Sequence, residues 1–169
     1  SHSHLMLFTD NGKVQVRKAY MIPEASRTAK GTNIVNVIDL QDDEKLTAIL
    51  SVDNFEGEDY LIMVTRNGVI KRTPISEYAY QRKGGKIAIN LDEGDKLVFV
   101  ARTQGDSDII IATHNGIAAR FNEDKVTVVG RTARGVRGIR LREDDFVCGA
   151  AVIENNDEWQ AANQLVLIT

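Results

Sequence analysis

The chain has 169 residues, of which 43% are hydrophobic and 27% are charged, so it can form one domain or a few small repeated units around a buried core. No apolar run approaches the length of a membrane span and no secretory signal is evident, which predicts a protein without a membrane partner. The formal net charge of −3 favours no particular class of partner.

A repeated unit begins almost at the start of the chain. Residues 1–4 resemble the remnant of an expression tag, and the first unit covers residues 5–60. Its predicted elements are a strand "LMLF", a turn at Asn11-Gly12, a strand "KVQVR", a polar loop "SRTAKGTN", a strand "IVNVIDL", an acidic turn "QDDEK" and a strand "LTAILSV". Asn-Gly is a strong hairpin signal because both residues tolerate positive φ. This order predicts four short strands in one unit.

The same order of elements recurs twice, and Thr-x-Asn-Gly follows the first strand each time. The second unit covers residues 61–108, the third covers residues 109–164, and residues 165–169 match the first strand of another unit. The predicted third strands of the two complete copies are "IAINL" and "GIRL". Four strands in about 50 residues, without helical periodicity, predict an all-β fold, a propeller-like and open array of four-stranded blades.

Cations and acids are separated within every unit. Residues 9–38, 65–91 and 113–142 hold 18 of the 21 Lys and Arg, whereas 19 of the 24 Asp and Glu lie in residues 39–60, 92–108 and 143–158. If the blades stack side by side, equivalent positions line up and the cationic loops form a continuous stripe. Charges that only keep a protein in solution would not segregate by sign in this way. Clustered cations are typical of nucleic-acid binding.

The stripe is predicted from the second strands and from the glycine-containing loops. Gly31, Gly85 and Gly135 align and have cations around them. Such glycines either let backbone N–H groups approach a phosphate or occupy a turn that needs positive φ. The predicted DNA-binding residues are Arg17, Lys18, Arg27, Lys30, Lys71, Arg72, Arg82, Lys83, Lys86, Arg120, Arg131, Arg134 and Arg137.

No pattern in the sequence predicts catalysis, a metal site or a cofactor. His114 is interpreted as a solvated residue at a turn tip, and Cys148, in the run "FVCGAAVI", as a small buried hydrophobic residue. A single cysteine predicts a cytosolic protein without a disulfide framework. Aromatic residues make up only 6% and no recognition helix is evident, so we expect contacts with the backbone of duplex DNA, with specificity from bendability.

Several segments resemble the C-terminal domain of the DNA gyrase A subunit, namely "YMIPEASRTAKGTNIVNVI", "VTRNGVIKRTPISEY", "INLDEGDKLVFV" and "GVRGIRL". The resemblance covers residues 5–169. It implies a β-pinwheel, in which neighbouring blades exchange strands, and duplex DNA wrapped around a basic rim to support negative supercoiling. It also implies a non-catalytic part of an ATP-dependent type II topoisomerase, whose partners are the gyrase B subunit and the remainder of the gyrase A subunit.

Two features depart from that family. Its full domain has about six blades, so this chain resembles an internal fragment of about three. Residues 81–86, "QRKGGK", resemble the family's Gln-x-x-Gly-Gly box, but Ile87 replaces the glycine expected after the lysine. The alternatives are the related domain of topoisomerase IV and a protein-interaction propeller. Unpaired strand edges at the two ends of an open array would also allow self-association.

Overall fold

A computed structural model of the chain describes residues 4–18, 43–79 and 85–154. These residues contain eleven strands and two short 3-10 turns but no α-helix, as the all-β prediction requires. The strands are β1 (His4–Thr9), β2 (Lys13–Lys18), β3 (Leu46–Val52), β4 (Tyr60–Thr65), β5 (Val69–Pro74), β6 (Lys86–Ile87), β7 (Leu97–Thr103), β8 (Ser107–Thr113), β9 (Ala118–Asn122), β10 (Val136–Arg137) and β11 (Val147–Glu154). The 3-10 turns are Ile75–Tyr78 and Glu123–Lys125.

The strands form three antiparallel sheets, which we name blades one, two and three. Blade one has the order β3-β1-β2-β6, blade two has β10-β5-β4-β7, and blade three has β11-β8-β9. At β6 and β10 the chain crosses to the blade before its own, because Lys86 pairs with Val14 and Val136 pairs with Ile70. We call β6 and β10 the crossover strands. This exchange of strands between neighbouring blades confirms the propeller-like β-pinwheel.

The crossover strands are shorter than the sequence predicts. Third strands are expected at residues 87–91 and 138–141, but the structure has two-residue strands at Lys86–Ile87 and Val136–Arg137. The pairing of each crossover strand with the preceding blade therefore ends before most of the predicted apolar strand. Two further predicted strands, at residues 34–40 and 165–169, lie outside the described residues.

The segments that follow the crossover strands dock on the Asn-Gly turns of the preceding blade. Gly12 O accepts hydrogen bonds from Ala88 N at 2.7 Å and Ile89 N at 3.1 Å, and Gly68 O accepts from residues 138–139 in the same way. Gly12 has a φ of +79°, and a Cβ added to it would lie 2.7 Å from Ile89 O. The turn glycine thus permits close stacking of blades as well as reversal of the chain.

Strand β4 is apolar along its length because it is buried on both faces. Leu61 and Met63 pack in a core shared with blade one, whereas Ile62 and Val64 pack in a core shared with blade three. Successive side chains of a strand point to opposite faces, so a continuous apolar run is typical of a sheet covered on both sides. Full burial of such side chains stabilises the fold by about 1.5–3 kcal/mol each.

The Thr-x-Asn-Gly motif and the acidic turn of the same blade stabilise each other. In blade two, Thr65 Oγ1 accepts from the N–H four residues later at 3.1 Å, and Asp95 Oδ1 accepts from Asn67 N at 2.9 Å. Blade three repeats both bonds with Thr113 and Asp145. One carboxylate of each of these acidic turns is therefore a structural acceptor and not only a solvated charge.

Candidate nucleic-acid interface

The order of the strands places the cations on one edge of every blade. Strand β3 contacts β7, and β7 contacts β11, so these three edge strands lie on one side of the array. The opposite side, which we call the outer edge, is formed by β2, β5 and β9 with the crossover strands. The outer-edge strands hold eight Lys and Arg residues, whereas the other six strands hold only Arg102.

Cationic segments of neighbouring blades are bonded to each other at the outer edge. The blade-three basic loop, residues 130–135, lies on the segment that follows β6. Asn90 N donates to Ala133 O at 3.2 Å, and Arg131 Nη1 donates to Ile87 O at 2.5 Å. The basic loop of the third unit therefore contacts the crossover segment of the second unit directly.

Three arginines of the predicted set are well exposed. Arg134 is 63% exposed and lies 3.3 Å from Asp92 Oδ1, and Arg120 is 52% exposed and donates to Asp108 at 2.9 Å. Arg137 is exposed on β10 and has no side-chain bond within the described residues. Exposed ion pairs contribute only about 0–1 kcal/mol, so a phosphate can replace these carboxylates at little cost.

Other predicted cations are bonded to nearby groups at the same edge. Arg17 Nη2 donates to Gln15 Oε1 at 2.5 Å, and Lys86 Nζ donates to Tyr78 O at 2.9 Å. Lys18 is exposed at the end of β2. Four members of the predicted set, Arg27, Lys30, Arg82 and Lys83, lie outside the described residues.

Lys71 is a correction to the predicted surface set, because it is only 1% exposed. Its Nζ donates to Ala88 O at 2.6 Å and to Arg131 O. Burial and, to a smaller extent, the Arg131 guanidinium lower the pKa of Lys71 to about 7, and Glu77 opposes this shift. This ammonium lies beneath the outer edge and does not reach solvent.

Arg72 is the second correction, because its side chain is only 11% exposed. Its Nε donates to Val126 O at 3.0 Å, its Nη1 lies 3.5 Å from Glu123 Oε1, and its guanidinium lies 4.8 Å from the centroid of the Tyr60 ring. Glu123 has no exposed surface and also accepts from Thr103 Oγ1 at 2.9 Å. Arg72 therefore joins blade two to blade three instead of facing a ligand.

Exposed cations that the predicted set omitted belong to the same cationic parts of the units. Within the described residues, their side chains have no hydrogen bond or ion pair. These residues are Lys13, Arg66, Lys125, Arg140 and Arg142. Lys13 could have been found from the period of two in β2, which places it on the same face as Arg17.

The loop glycines allow the close approach of the crossover strands to the preceding blade. Gly135 has a φ of +99°, and a Cβ added to it would lie 2.5 Å from Ile70 O. Gly85, with a φ of +87°, meets Val14 O in the preceding blade in the same manner. Of the two interpretations of these glycines, the tight turn therefore accounts for both, and Gly31 lies outside the described residues.

His114 and Cys148 both lie at the surface of blade three. His114 is exposed, and its ring stacks on Phe146 with centroids 4.7 Å apart. Cys148 is exposed, contrary to the predicted burial, because the register of β11 against β8 shifts between Val147 and Gly149. The described residues contain no group of three or more potential metal ligands and no helix able to cross a membrane.

The family model described as DNA gyrase C-terminal domain, beta-propeller, matches the chain at residues 3–53, 59–104 and 107–154. The DNA gyrase A subunit of Clostridium acetobutylicum is 50% identical over 138 residues, which are 82% of this chain and 17% of that protein. Its equivalent in Haloquadratum walsbyi is 44% identical over 94% of this chain and 19% of that protein, and the one in Deinococcus deserti is 42% identical over 100% and 21%. The chain spans about a fifth of the length of these relatives.

Two solved structures share the arrangement of blades. The C-terminal domain of DNA topoisomerase IV has a TM-score of 0.84 and 33% identity, and the match covers 92% of this chain and 49% of that one. The DNA gyrase A C-terminal domain has a TM-score of 0.71 and 26% identity, with the same two coverages. Since the family model matches most of the sequence and the blades exchange strands as the resemblance implies, the chain belongs to the DNA gyrase C-terminal domain family.

Proposed function

We propose that this chain is a non-catalytic module that binds duplex DNA along its outer edge and contributes to wrapping it. The observation that carries the proposal is the bonding of the blade-three basic loop to Ile87 and Asn90, which places this loop beside the crossover strand that carries Lys86. Arg134 and Arg137 are exposed on this surface. Exposed guanidinium groups suit a phosphate backbone, because they neutralise charge without reading bases.

The DNA would follow a bent path, since the cations lie on the rim of an array of blades. A bent duplex costs deformation energy that depends on its sequence, so such a module would select bendable DNA. In the parent protein, a cytosolic type II topoisomerase, the module would act with the gyrase B subunit and with the remainder of the gyrase A subunit during ATP-dependent negative supercoiling. The named sequence relatives favour gyrase over topoisomerase IV as the parent enzyme.

Salt dependence tests the proposal against the protein-interaction alternative. We expect affinity for a fluorescein-labelled duplex, measured by anisotropy, to fall steeply with salt, with a logarithmic slope of about −0.9 per phosphate neutralised. A flat dependence, or no binding at low salt, would contradict the proposal.

Charge reversal locates the surface. Arg134→Glu combined with Arg137→Glu should make the salt slope shallower by about two, since each lost phosphate contact removes about one. The matched control, Lys45→Glu combined with Arg102→Glu, changes charge equally beside β3 and on β7, away from the outer edge. Equal effects of the two double variants would show that binding follows total charge and not this edge.

A further inference from the structure

Lys71 is buried, so contact with a DNA phosphate does not explain why a cation lies at this position. Its side chain extends from β5 of blade two and ends between the segment after β6 and the blade-three basic loop, which are far apart in sequence. One hydrogen bond joins its Nζ to Ala88 O, in the segment after β6, and another joins it to Arg131 O, in the blade-three basic loop. A single ammonium group therefore holds both segments whose contact makes the outer edge continuous.

We infer that Lys71 is a positioning residue for DNA binding, which fixes the blade-three basic loop on blade two and adds its own positive charge beneath the loop. The inference rests on the proposed function for its DNA readout, but the fixing of the loop can be measured without DNA.

The backbone passes so closely over Lys71 that the loop has little freedom. A Cβ added to Gly135 would lie 3.1 Å from Lys71 Cβ, and one added to Gly130 would lie 3.4 Å from Glu77 Oε1. Both glycines flank the loop residues that Lys71 bonds. The direction of the Arg134 side chain therefore depends on a backbone that is anchored at its two ends and at Arg131.

The surroundings of Lys71 allow its hydrogen bonds to persist whether its amino group is charged or neutral. Tyr78 hydroxyl also donates to Ala88 O, at 3.0 Å, and burial raises the pKa of this hydroxyl, so it remains a donor. The other charges that face the cluster are Arg131, Glu77 and Lys86, whose Nζ donates to Tyr78 O. Because the pKa of Lys71 is about 7, the ammonium is charged below neutral pH and largely neutral above it, and a neutral amine still donates to carbonyls.

Blade one has an uncharged counterpart of this arrangement. Gln15 occupies the same position after its Asn-Gly turn as Lys71, and it is only 4% exposed. A Cβ added to Gly85 would lie 2.9 Å from Gln15 Cγ, so the loop of blade two passes over Gln15 as the loop of blade three passes over Lys71. The chain thus supplies a matched variant, Lys71→Gln, which keeps a donor and removes the charge.

The test compares the unmodified chain with Lys71→Met and Lys71→Gln by hydrogen exchange of the amides of residues 130–137 and by anisotropy with a labelled duplex between pH 6 and pH 8. Loss of hydrogen bonds from a charged donor predicts exchange at least about tenfold faster in Lys71→Met, with much of the protection retained in Lys71→Gln. The DNA affinity of the unmodified chain should fall as pH rises through 7, because Lys71 loses its positive charge. Neither variant should show this fall. The three proteins share every other residue, so the comparison isolates position 71.

Unchanged exchange in Lys71→Met, or an identical pH profile in all three proteins, would overturn the inference. If Lys71→Met does not fold, the pH profiles of the unmodified chain and of Lys71→Gln decide the matter, because these carry residues that the fold already accepts at this position. If the unmodified chain does not bind DNA at low salt, the proposed function fails, and hydrogen exchange alone still decides whether Lys71 holds the loop.

Discussion

The junction between blades one and two and the junction between blades two and three have the same pattern of backbone hydrogen bonds. The carbonyl of the variable residue in Thr-x-Asn-Gly accepts a hydrogen bond from the first residue of an edge strand in the next blade, either β7 or β11. Asp10 O accepts from Leu97 N, and Arg66 O accepts from Val147 N, both at 2.9 Å. Because these bonds use no side chain, the position between threonine and asparagine is free to vary, and blade stacking is set by the backbone.

The side chains at the two junctions differ in kind. At the first junction, Lys96 Nζ donates to Asn11 Oδ1 at 2.9 Å, whereas at the second the Arg66 guanidinium lies 4.6 Å from the centroid of the Phe146 ring. Gln15 and Val16 of β2 are replaced by Lys71 and Arg72 in β5. The second junction therefore contains buried charge where the first has neutral groups. A common backbone framework permits this exchange of side chains.

Glu123→Ala should have the largest effect, because it leaves Arg72 buried without its carboxylate. Breaking a buried pair by removing one partner costs about 3–5 kcal/mol, whereas removing an exposed partner costs about 0–1 kcal/mol. Urea denaturation of Glu123→Ala should show the larger loss, about 3–5 kcal/mol. The control Asp108→Ala removes the partner of the exposed Arg120 and should show the smaller loss, about 0–1 kcal/mol. Similar midpoints for the two variants would mean that the second junction does not depend on its ion pair.

Gly68→Ala should come next, because it tests the backbone framework itself. A Cβ at Gly68 would lie 2.9 Å from Ile139 O, whereas one at Gly116 meets nothing within 4 Å, although both have positive φ, +87° and +89°. Gly116→Ala should cost about 1–2 kcal/mol for the left-handed conformation, and Gly68→Ala about 1–3 kcal/mol more for the contact. Thermal unfolding of the two variants isolates the stacking contribution, and equal losses would contradict it.

Lys71 should make stability depend on pH at the second junction. Between about pH 7 and 10.5 the unfolded chain holds a proton on this residue that the native protein has released. Stability should therefore rise with pH over this range, by up to about 1.4 kcal/mol per pH unit, and be lowest below pH 7, where the charged group is buried. Urea titrations at several pH values should show a shallower rise for Lys71→Gln. An equal rise of stability with pH in both proteins would mean that groups other than Lys71 cause it.

The strands and turns could be predicted because their signals are local. Residues 46–52 are predicted as a strand and form β3 with those bounds. The Asn-Gly dipeptides are predicted turns, and Gly12 and Gly68 have the positive φ that such turns require. The segregation of charge along each unit also predicts which edge of the blades is cationic.

The burial of Lys71 and Arg72 could not be predicted, because it depends on a loop about 60 residues later in the chain that crosses over β5. The sequence "VIKRT" gives these two residues the appearance of surface cations. Cys148 is a similar case, since the register shift that exposes it is a property of the pair β8 and β11 and not of either strand alone. Contacts between units set these features, and local pattern does not report them.

The smallest effect is expected at the acidic turns, where Gly94 of blade two and Asp144 of blade three occupy equivalent positions. Gly94 in blade two has a φ of +81°, and Asp144 at the same place in blade three has a φ of +66°, the one positive value at a non-glycine residue in the described part of the chain. Asp144→Gly should relieve the strain of the left-handed conformation but add flexibility to the unfolded chain, for a net gain of about 0.5 kcal/mol. Thermal unfolding should show a rise in Tm of about 1–2 °C, and Gly94→Asp should show a comparable fall. A fall for Asp144→Gly would indicate that the aspartate stabilises its turn by a local interaction stronger than the strain, so that the two turns would differ in more than backbone freedom.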